Sequence, residues 1–153
     1  MDEINEYYTF QEYIKNNSLT PSEEDYIEMI YRLSLKGEEI KVSEISKYLN
    51  IKPPSVTKMI KKLDQKNLIT YQKYDNVELS EIGKILGEKL LKRHNTVYRF
   101  LEIVGVENCI HEETEKIEHM ISGETLIKIH RFINFIDENN DVLEKYKDYM
   151  NKI

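Results

Sequence analysis

Residues 40–69 read IKVSEISKYLNIKPPSVTKMIKKLDQKNLI, and their punctuation predicts two short helices joined by a tight turn. Ser43 stands where it can cap a first helix over "SEISKYLN". "NIK" at 50–52 supplies the turn. Pro53 and Pro54 suit the opening of a second helix, because a first-turn residue has no intrahelical use for its N–H. Within that helix Val56, Met59, Ile60 and Leu63 recur at helical spacing, while Ser55, Thr57, Lys58, Lys61 and Lys62 lie largely outside the stripe. The pattern is a helix-turn-helix with a polar, basic second helix.

The flanks extend it. Downstream, "LITYQKYDNVELS" (68–80) alternates and carries an Asp75–Asn76 turn signal, which predicts a small β-hairpin. A helix-turn-helix followed by a hairpin is the winged-helix arrangement. Upstream, "TPSEEDYIEMIYRLSLKGE" (20–38) opens with Thr20 as N-cap, Pro21 at the first helical position and acids in the first turn. Tyr26, Ile27, Ile30, Tyr31 and Leu33 give it an apolar face, and Gly37 stops it. Residues 1–19, with Tyr7, Tyr8, Phe10, Tyr13 and Ile14 before "KNNS", read as an N-terminal extension holding a short amphipathic helix.

From Ser80 onward the pattern is helical to the end. "SEIGKILGEKLLKRHNTVYRFLEIVGV" is one long helix with Gly105 as its stop. "HEETEKIEHMIS" and "GETLIKIHRFINFIDEN" are two more. The expected fold is mostly α: a winged-helix domain over 20–80 and an all-helical domain over 81–153, without an SH3-like third domain.

Charge is unevenly spread. The whole chain of 153 residues carries −6, yet between residues 36 and 73 nine lysines stand against four acids, a local charge of +5. A basic segment inside an acidic protein is the electrostatic footprint of a nucleic-acid partner. Lys52, Pro54, Ser55, Thr57, Lys58, Lys61, Lys62 and Lys73 are the expected DNA-contacting residues, with Ser55, Thr57 and Lys58 near base edges in the major groove and Lys61 or Lys62 on phosphates. No run approaches the roughly 18 apolar residues of a membrane span, and the acidic, aromatic N-terminus resembles no export signal. The single cysteine, Cys109, cannot form an intrachain disulfide. It is expected as a small buried or half-buried residue, in a protein of the reducing cytoplasm.

Helical spacing also gathers potential metal ligands. Asp25 and Glu28 are three apart, as are Glu115 and Glu118, and His119 follows one turn after Glu115. Carboxylates with one or two imidazoles favour Mn(II) or Fe(II) over sulfur-rich zinc or copper sites. Spacing alone favours the commoner reading, a solvated acidic face.

The motifs "TPSEEDYIEMIYRL", "PPSVTKMIKKLDQKNLI", "LSEIGK", "RHNTVYRFLEIVGV" and "IEHMIS" stand in the order and spacing of the diphtheria toxin repressor family. Over about Thr20 to Asn139 the chain resembles its manganese transport regulator branch. The resemblance implies a homodimeric, metal-activated repressor that binds a palindromic operator in double-stranded DNA and controls metal-ion uptake genes. It implies Asp25, Glu28, His94, Glu115, Glu118 and His119 as metal ligands, for one or two Mn2+ ions per subunit, with Fe2+ as the alternative. The iron-responsive branch typically has methionine at the place of Asp25 and cysteine at that of Glu115. Met120 stands where manganese members often have a second histidine. Asp75 replaces a base at the wing tip.

The apolar residues Leu90, Val97, Leu126, Ile129, Ile133 and Ile136 are expected at the dimer interface, although burial within the subunit fits any one of them. His111 and His130 are left out of the site, His111 as a capping or exposed residue. Two other readings share the same residues: a metal-independent winged-helix regulator, and a di-metal carboxylate enzyme with Glu and Glu-x-x-His pairs from four helices. Against the enzyme, "EKIEH" places His four rather than three residues after Glu115 and has no second copy. Neither a membrane nor a small organic substrate is expected as a partner.

Overall fold

The computed structural model describes residues 12–16, 19–72 and 76–152. Most of the N-terminal extension and Lys73 and Asp75 of the wing lie outside the described residues. Residues 12–16 are helical, and Leu19 donates its N–H to the Ile14 carbonyl. The elements that follow are α1 (Pro21–Ser34), β1 (Ile40–Lys41), α2 (Val42–Leu49), α3 (Pro53–Gln65), β2 (Ile69–Tyr71) and β3 (Asn76–Leu79). After them come α4 (Glu81–Ile103), α5 (Ile110–Glu118), α6 (Gly123–Glu138) and α7 (Asn140–Met150). Among the described residues two compact units result: one from residue 14 to 92, and one from residue 93 onward with Glu12 and Tyr13. The division falls inside α4 rather than before it, so the first half of that helix joins the winged-helix unit.

In the first unit α1 begins as its sequence requires. Thr20 and Glu23 form a reciprocal capping box, with Glu23 Oε2 accepting from Thr20 N–H at 2.8 Å and Thr20 Oγ1 accepting from Glu23 N–H at 3.3 Å. Gly37 turns the chain after α1 with φ +73°. Helix α2 starts two residues earlier than Ser43 would allow as a cap. Lys41 is the N-cap, because Ile40 and Lys41 are held as strand β1, and Glu44 accepts the Lys41 N–H at 3.2 Å. Asn50, at φ 53°, closes α2 in the left-handed conformation that the tight turn needs. Helix α3 opens on its two prolines and buries Val56, Ile60 and Leu63 completely.

The wing is a three-stranded antiparallel sheet of order β1-β3-β2, one strand more than the expected hairpin. Val77 is opposite both Ile40 and Tyr71, and Leu79 opposite Ile69. The inward side chains Ile40, Ile69, Val77 and Leu79 are all buried. Asn76, expected in the turn, is instead the first residue of β3 and pairs with Lys41.

Helix α4 is seated on the wing by Ser80 and Gly83. Ser80 Oγ accepts the Gly83 N–H at 3.0 Å and lies 2.8 Å from the Asn67 carbonyl, to which it donates. A Cβ at Gly83 would come 1.9 Å from the Leu68 carbonyl oxygen, and one at Gly87 would come 2.5 Å from Tyr31 Cβ. Only glycine lets α4 approach β2 and α1 this closely.

In the second unit Val97, Leu101, Leu126 and Ile127 form one buried cluster, and Ile103, Ile133 and Ile136 another. Ile129 packs against the second cluster, and Leu90 is fully buried in the first unit. The stripe expected at a dimer interface therefore fills the subunit's own core, since α4 to α7 are short of other apolar side chains to cover one another. What α6 leaves exposed is Phe132 and Phe135. Tyr146 ties α7 back by donating to the Val104 carbonyl at 3.0 Å.

The Gly83 contact sets the first prediction. Helix propensity alone would make alanine better by about 1 kcal/mol. Overpacking against a backbone carbonyl should reverse the sign, and Gly83→Ala should lower unfolding stability by about 1–3 kcal/mol in a denaturant titration. A stabilised variant would show that α4 can lift off the wing freely.

Candidate metal centre and nucleic-acid interface

His94 lies on the inward face of α4, three and seven residues before the buried Val97 and Leu101. It is itself buried. Helix α5 presents Glu118 inward in the same way, one turn after Thr114, whose residue is fully buried. The two meet: His94 Nδ1 lies 2.8 Å from Glu118 Oε2. With the ring proton on Nδ1 donated to the carboxylate, Nε2 carries the lone pair, the form in which imidazole binds a metal.

The other oxygen of Glu118 defines the site. Glu118 is 1% exposed, and its Oε1 accepts no hydrogen bond. Nε2 of His119, the residue that caps the C-terminus of α5, is 3.8 Å away. A buried carboxylate oxygen left in that state is heavily penalised unless a cation takes it. Glu115, Glu118 and His119 offer ligand atoms within 4.8 Å of one another, and His94 Nδ1 is 3.7 Å from Glu115 Oε1. This oxygen-rich donor set with two imidazoles fits a hard or borderline divalent cation.

Asp25 and Glu28 stand one turn apart on α1, within the other unit. Asp25 is half-buried and Glu28 buried. Glu28 Oε1 accepts from Arg32 Nε at 2.8 Å and Nη2 at 2.5 Å. The structure thus brings four of the six expected ligands together within the C-terminal unit and pairs the remaining two within the N-terminal one. Sequence reasoning passed over Arg93, which is 3% exposed and places Nη2 3.3 Å from His119 Nδ1. Its only signal was its position beside His94, on a helix where arginine is ordinarily solvated.

Of the residues left out of the site, His111 is exposed and its ring meets that of Tyr98 at a tilt, centroids 5.1 Å apart, and His130 is half-buried on α6. Met120 is 86% exposed. Cys109 is exposed rather than buried, because it is the left-handed N-cap of α5 at φ 60°.

On the nucleic-acid side, the face of α3 opposite its core stripe is open. Lys52, Pro54, Ser55, Lys58, Lys61 and Lys62 are exposed, and Thr57 is half-buried with its hydroxyl donating to the Pro53 carbonyl at 3.1 Å. Lys62 is not independent. Its Nζ lies 3.2 Å from Glu23 Oε1, and Lys66 Nζ lies 2.8 Å from the same atom. Burial alone would raise the Glu23 carboxyl, but Lys66, the Thr20 amide and Lys62 together hold it down at about 2.

Residues 18–77 match the model of the iron dependent repressor N-terminal DNA binding domain, and residues 80–147 match that of its metal binding and dimerisation domain. The chain belongs to the iron-dependent repressor family. As a member of this diphtheria toxin repressor family it is a metal-dependent, DNA-binding transcriptional repressor. It is 39% identical over 127 residues to the HTH-type transcriptional regulator MntR of Lysinibacillus sphaericus (strain C3-41), covering 82% of this chain and 91% of that one. It is 40% identical over 123 residues to MntR of Bacillus pumilus (strain SAFR-032), covering 80% and 85%. Among solved structures it is similar to the manganese regulator SloR, with TM-score 0.67, 32% identity and 76% of this chain covered. It also matches ScaR with bound Zn2+, with TM-score 0.63, 30% identity and 74% covered. The chain spans 55% of the length of the SloR chain and 54% of that of ScaR. These relatives are regulators, not enzymes. Among the described residues no helix of this repressor is long and apolar enough to cross a membrane.

The buried position of Glu118 against the exposed one of Glu115 separates two substitutions. Glu118→Gln should weaken Mn(II) binding at least 100-fold, about 2.7 kcal/mol, and Glu115→Gln only about tenfold. Competition against a fluorescent chelator measures both, and equal losses would reject Glu118 as the anchoring ligand.

Proposed function

We propose that this repressor is a manganese sensor, active as a cytoplasmic homodimer on a palindromic operator of metal-uptake genes. The observation that carries the metal reading is the buried, unpartnered Oε1 of Glu118. We assign Asp25, Glu28, His94, Glu115, Glu118 and His119 as the ligands, following the family's ligand pattern. A bound divalent ion would supply the positive charge that carboxylates and imidazoles of this kind favour. Asp25 and Glu28 belong to the DNA-binding unit and the other four to the dimerisation unit, so ligands shared in this way restrain the pair of reading heads. Manganese is favoured over iron by the absence of sulfur at positions 25 and 115 and by the similarity to the manganese regulator SloR.

Helix α3 enters the major groove, with Ser55, Thr57 and Lys58 toward base edges and Lys52 and Lys61 toward phosphates. A two-fold dimer matches a palindromic site. The exposed Phe132 and Phe135 of α6 are the apolar surface best placed to join a second copy, since the stripe around them is already core.

Metal should raise operator affinity tenfold to hundredfold, which needs only about 1.4 to 2.7 kcal/mol of coupling. Fluorescence anisotropy with chelator and with Mn(II) tests this, and equal affinity in both would end the sensor reading.

Selectivity gives a second test. Zn(II) can bind more tightly but prefers a closed tetrahedral site, which leaves some of the six ligands unused. Asp25→Met combined with Glu115→Cys should therefore weaken activation by Mn(II) relative to Fe(II) while the fold survives. Anaerobic operator titrations with Mn(II), Fe(II) and Zn(II) read the order of activating metals. An unchanged order would remove these two residues as its determinants.

A further inference from the structure

Lys62, in the last turn of α3, and Lys66, the residue that caps its C-terminus, stand one turn apart and converge on the same carboxylate oxygen of α1, Glu23 Oε1. The Glu23 side chain is fully buried, while that of Lys62 is half-exposed and that of Lys66 about 29% exposed. The lysines reach Oε1 as ion pairs rather than as well-directed hydrogen bonds, since no hydrogen bond is made to that atom. Oε2 is taken by the Thr20 amide. Among the described residues Lys58 and Lys61, on the same helix, have no such acidic partner.

We propose that Glu23 acts as an internal phosphate surrogate that withholds Lys62 from DNA, so that α3 presents fewer phosphate-binding lysines than its sequence suggests. This rests on the reading of α3 as the helix that meets DNA. To reach a phosphate, Lys62 must abandon a buried carboxylate and leave it with Lys66 alone. Stripping a partner from a buried charge is strongly unfavourable, whereas a surface lysine gains little from any one phosphate. Lys61 faces no such choice. The effect is on non-specific affinity: a repressor with fewer free cations is held less by bulk DNA, and more of its binding must come from base contacts.

The salt dependence of binding counts phosphate contacts directly, with a slope of about 0.9 in log K against log salt for each lysine engaged. The full chain, with Mn(II) in constant excess, is titrated onto a non-operator duplex across a salt series and read by anisotropy. Lys61→Gln should reduce the slope by about 0.9, Lys62→Gln should leave it unchanged, and Glu23→Gln should increase it by at least about 0.9, since it releases Lys62 and Lys66 together. Adding Lys62→Gln to Glu23→Gln should remove about 0.9 of that gain. A purely structural role for Glu23 would change stability without this gain. If Lys62→Gln lowers the slope as Lys61→Gln does, Glu23 withholds nothing and the proposal falls while the reading of α3 stands. If neither lysine matters, the reading of α3 and the proposal fall together. Should Glu23→Gln prove unfolded by circular dichroism, the comparison of Lys61→Gln with Lys62→Gln decides alone, because Lys66 still pairs with Glu23 in both.

Discussion

The contact between Gly83 and the Leu68 carbonyl is where a side chain has no room, and the placement of α4 follows from it. A Cβ there would sit 1.9 Å from that oxygen, so the helix starts flush against the wing and the Ser80 hydroxyl bridges the junction. Four residues on, Gly87 repeats the condition against Tyr31 of α1. Between them they fix how the first half of α4 packs within the winged-helix unit. The same helix then carries Leu86 and Leu90 into one core and Val97 and Leu101 into another. His94 falls on that inward face, so its burial follows from helical periodicity once α4 is seated.

Much of this was legible from residue order. Thr20 with Glu23, the prolines at 21 and 53 and the glycines at 37 and 105 mark boundaries through backbone chemistry, which acts locally. The apolar stripe of α3 was equally plain. Strand β1 was not, because two residues cannot show alternation, and its formation displaced the cap of α2 from Ser43 to Lys41. The stripe Leu126, Ile129, Ile133 and Ile136 was correctly apolar, yet periodicity cannot say whether a partner or the chain's own helices cover it. Here α4, α5 and α7 do so.

The site was less legible than the fold. Glu115, Glu118 and His119 share a face by spacing, but spacing gives an exposed Glu115 and a buried Glu118 the same weight. His94 came from resemblance alone, twenty-four residues away in sequence. Glu23 escaped notice because it read as one of the acids favoured in the first turn of α1. The overlooked signal was a pair of lysines at i and i+4 at the end of α3, facing a helix that begins with three acids in succession.

Glu23 and Glu118 are both buried carboxylates, and their different company separates structure from function. Glu23 has a backbone amide on one oxygen and two ammonium groups at the other. Its charge is compensated by the chain itself, and a further cation would have to displace a lysine. Glu118 has one imidazole on Oε2 and nothing donated to Oε1. An imidazole that stays neutral compensates no charge, so the carboxylate keeps both a lone pair and a deficit of positive potential. A divalent ion supplies what that position lacks, and it would supply nothing at Glu23. The burial of an acid does not by itself mark a metal ligand; the unfilled half of its coordination does.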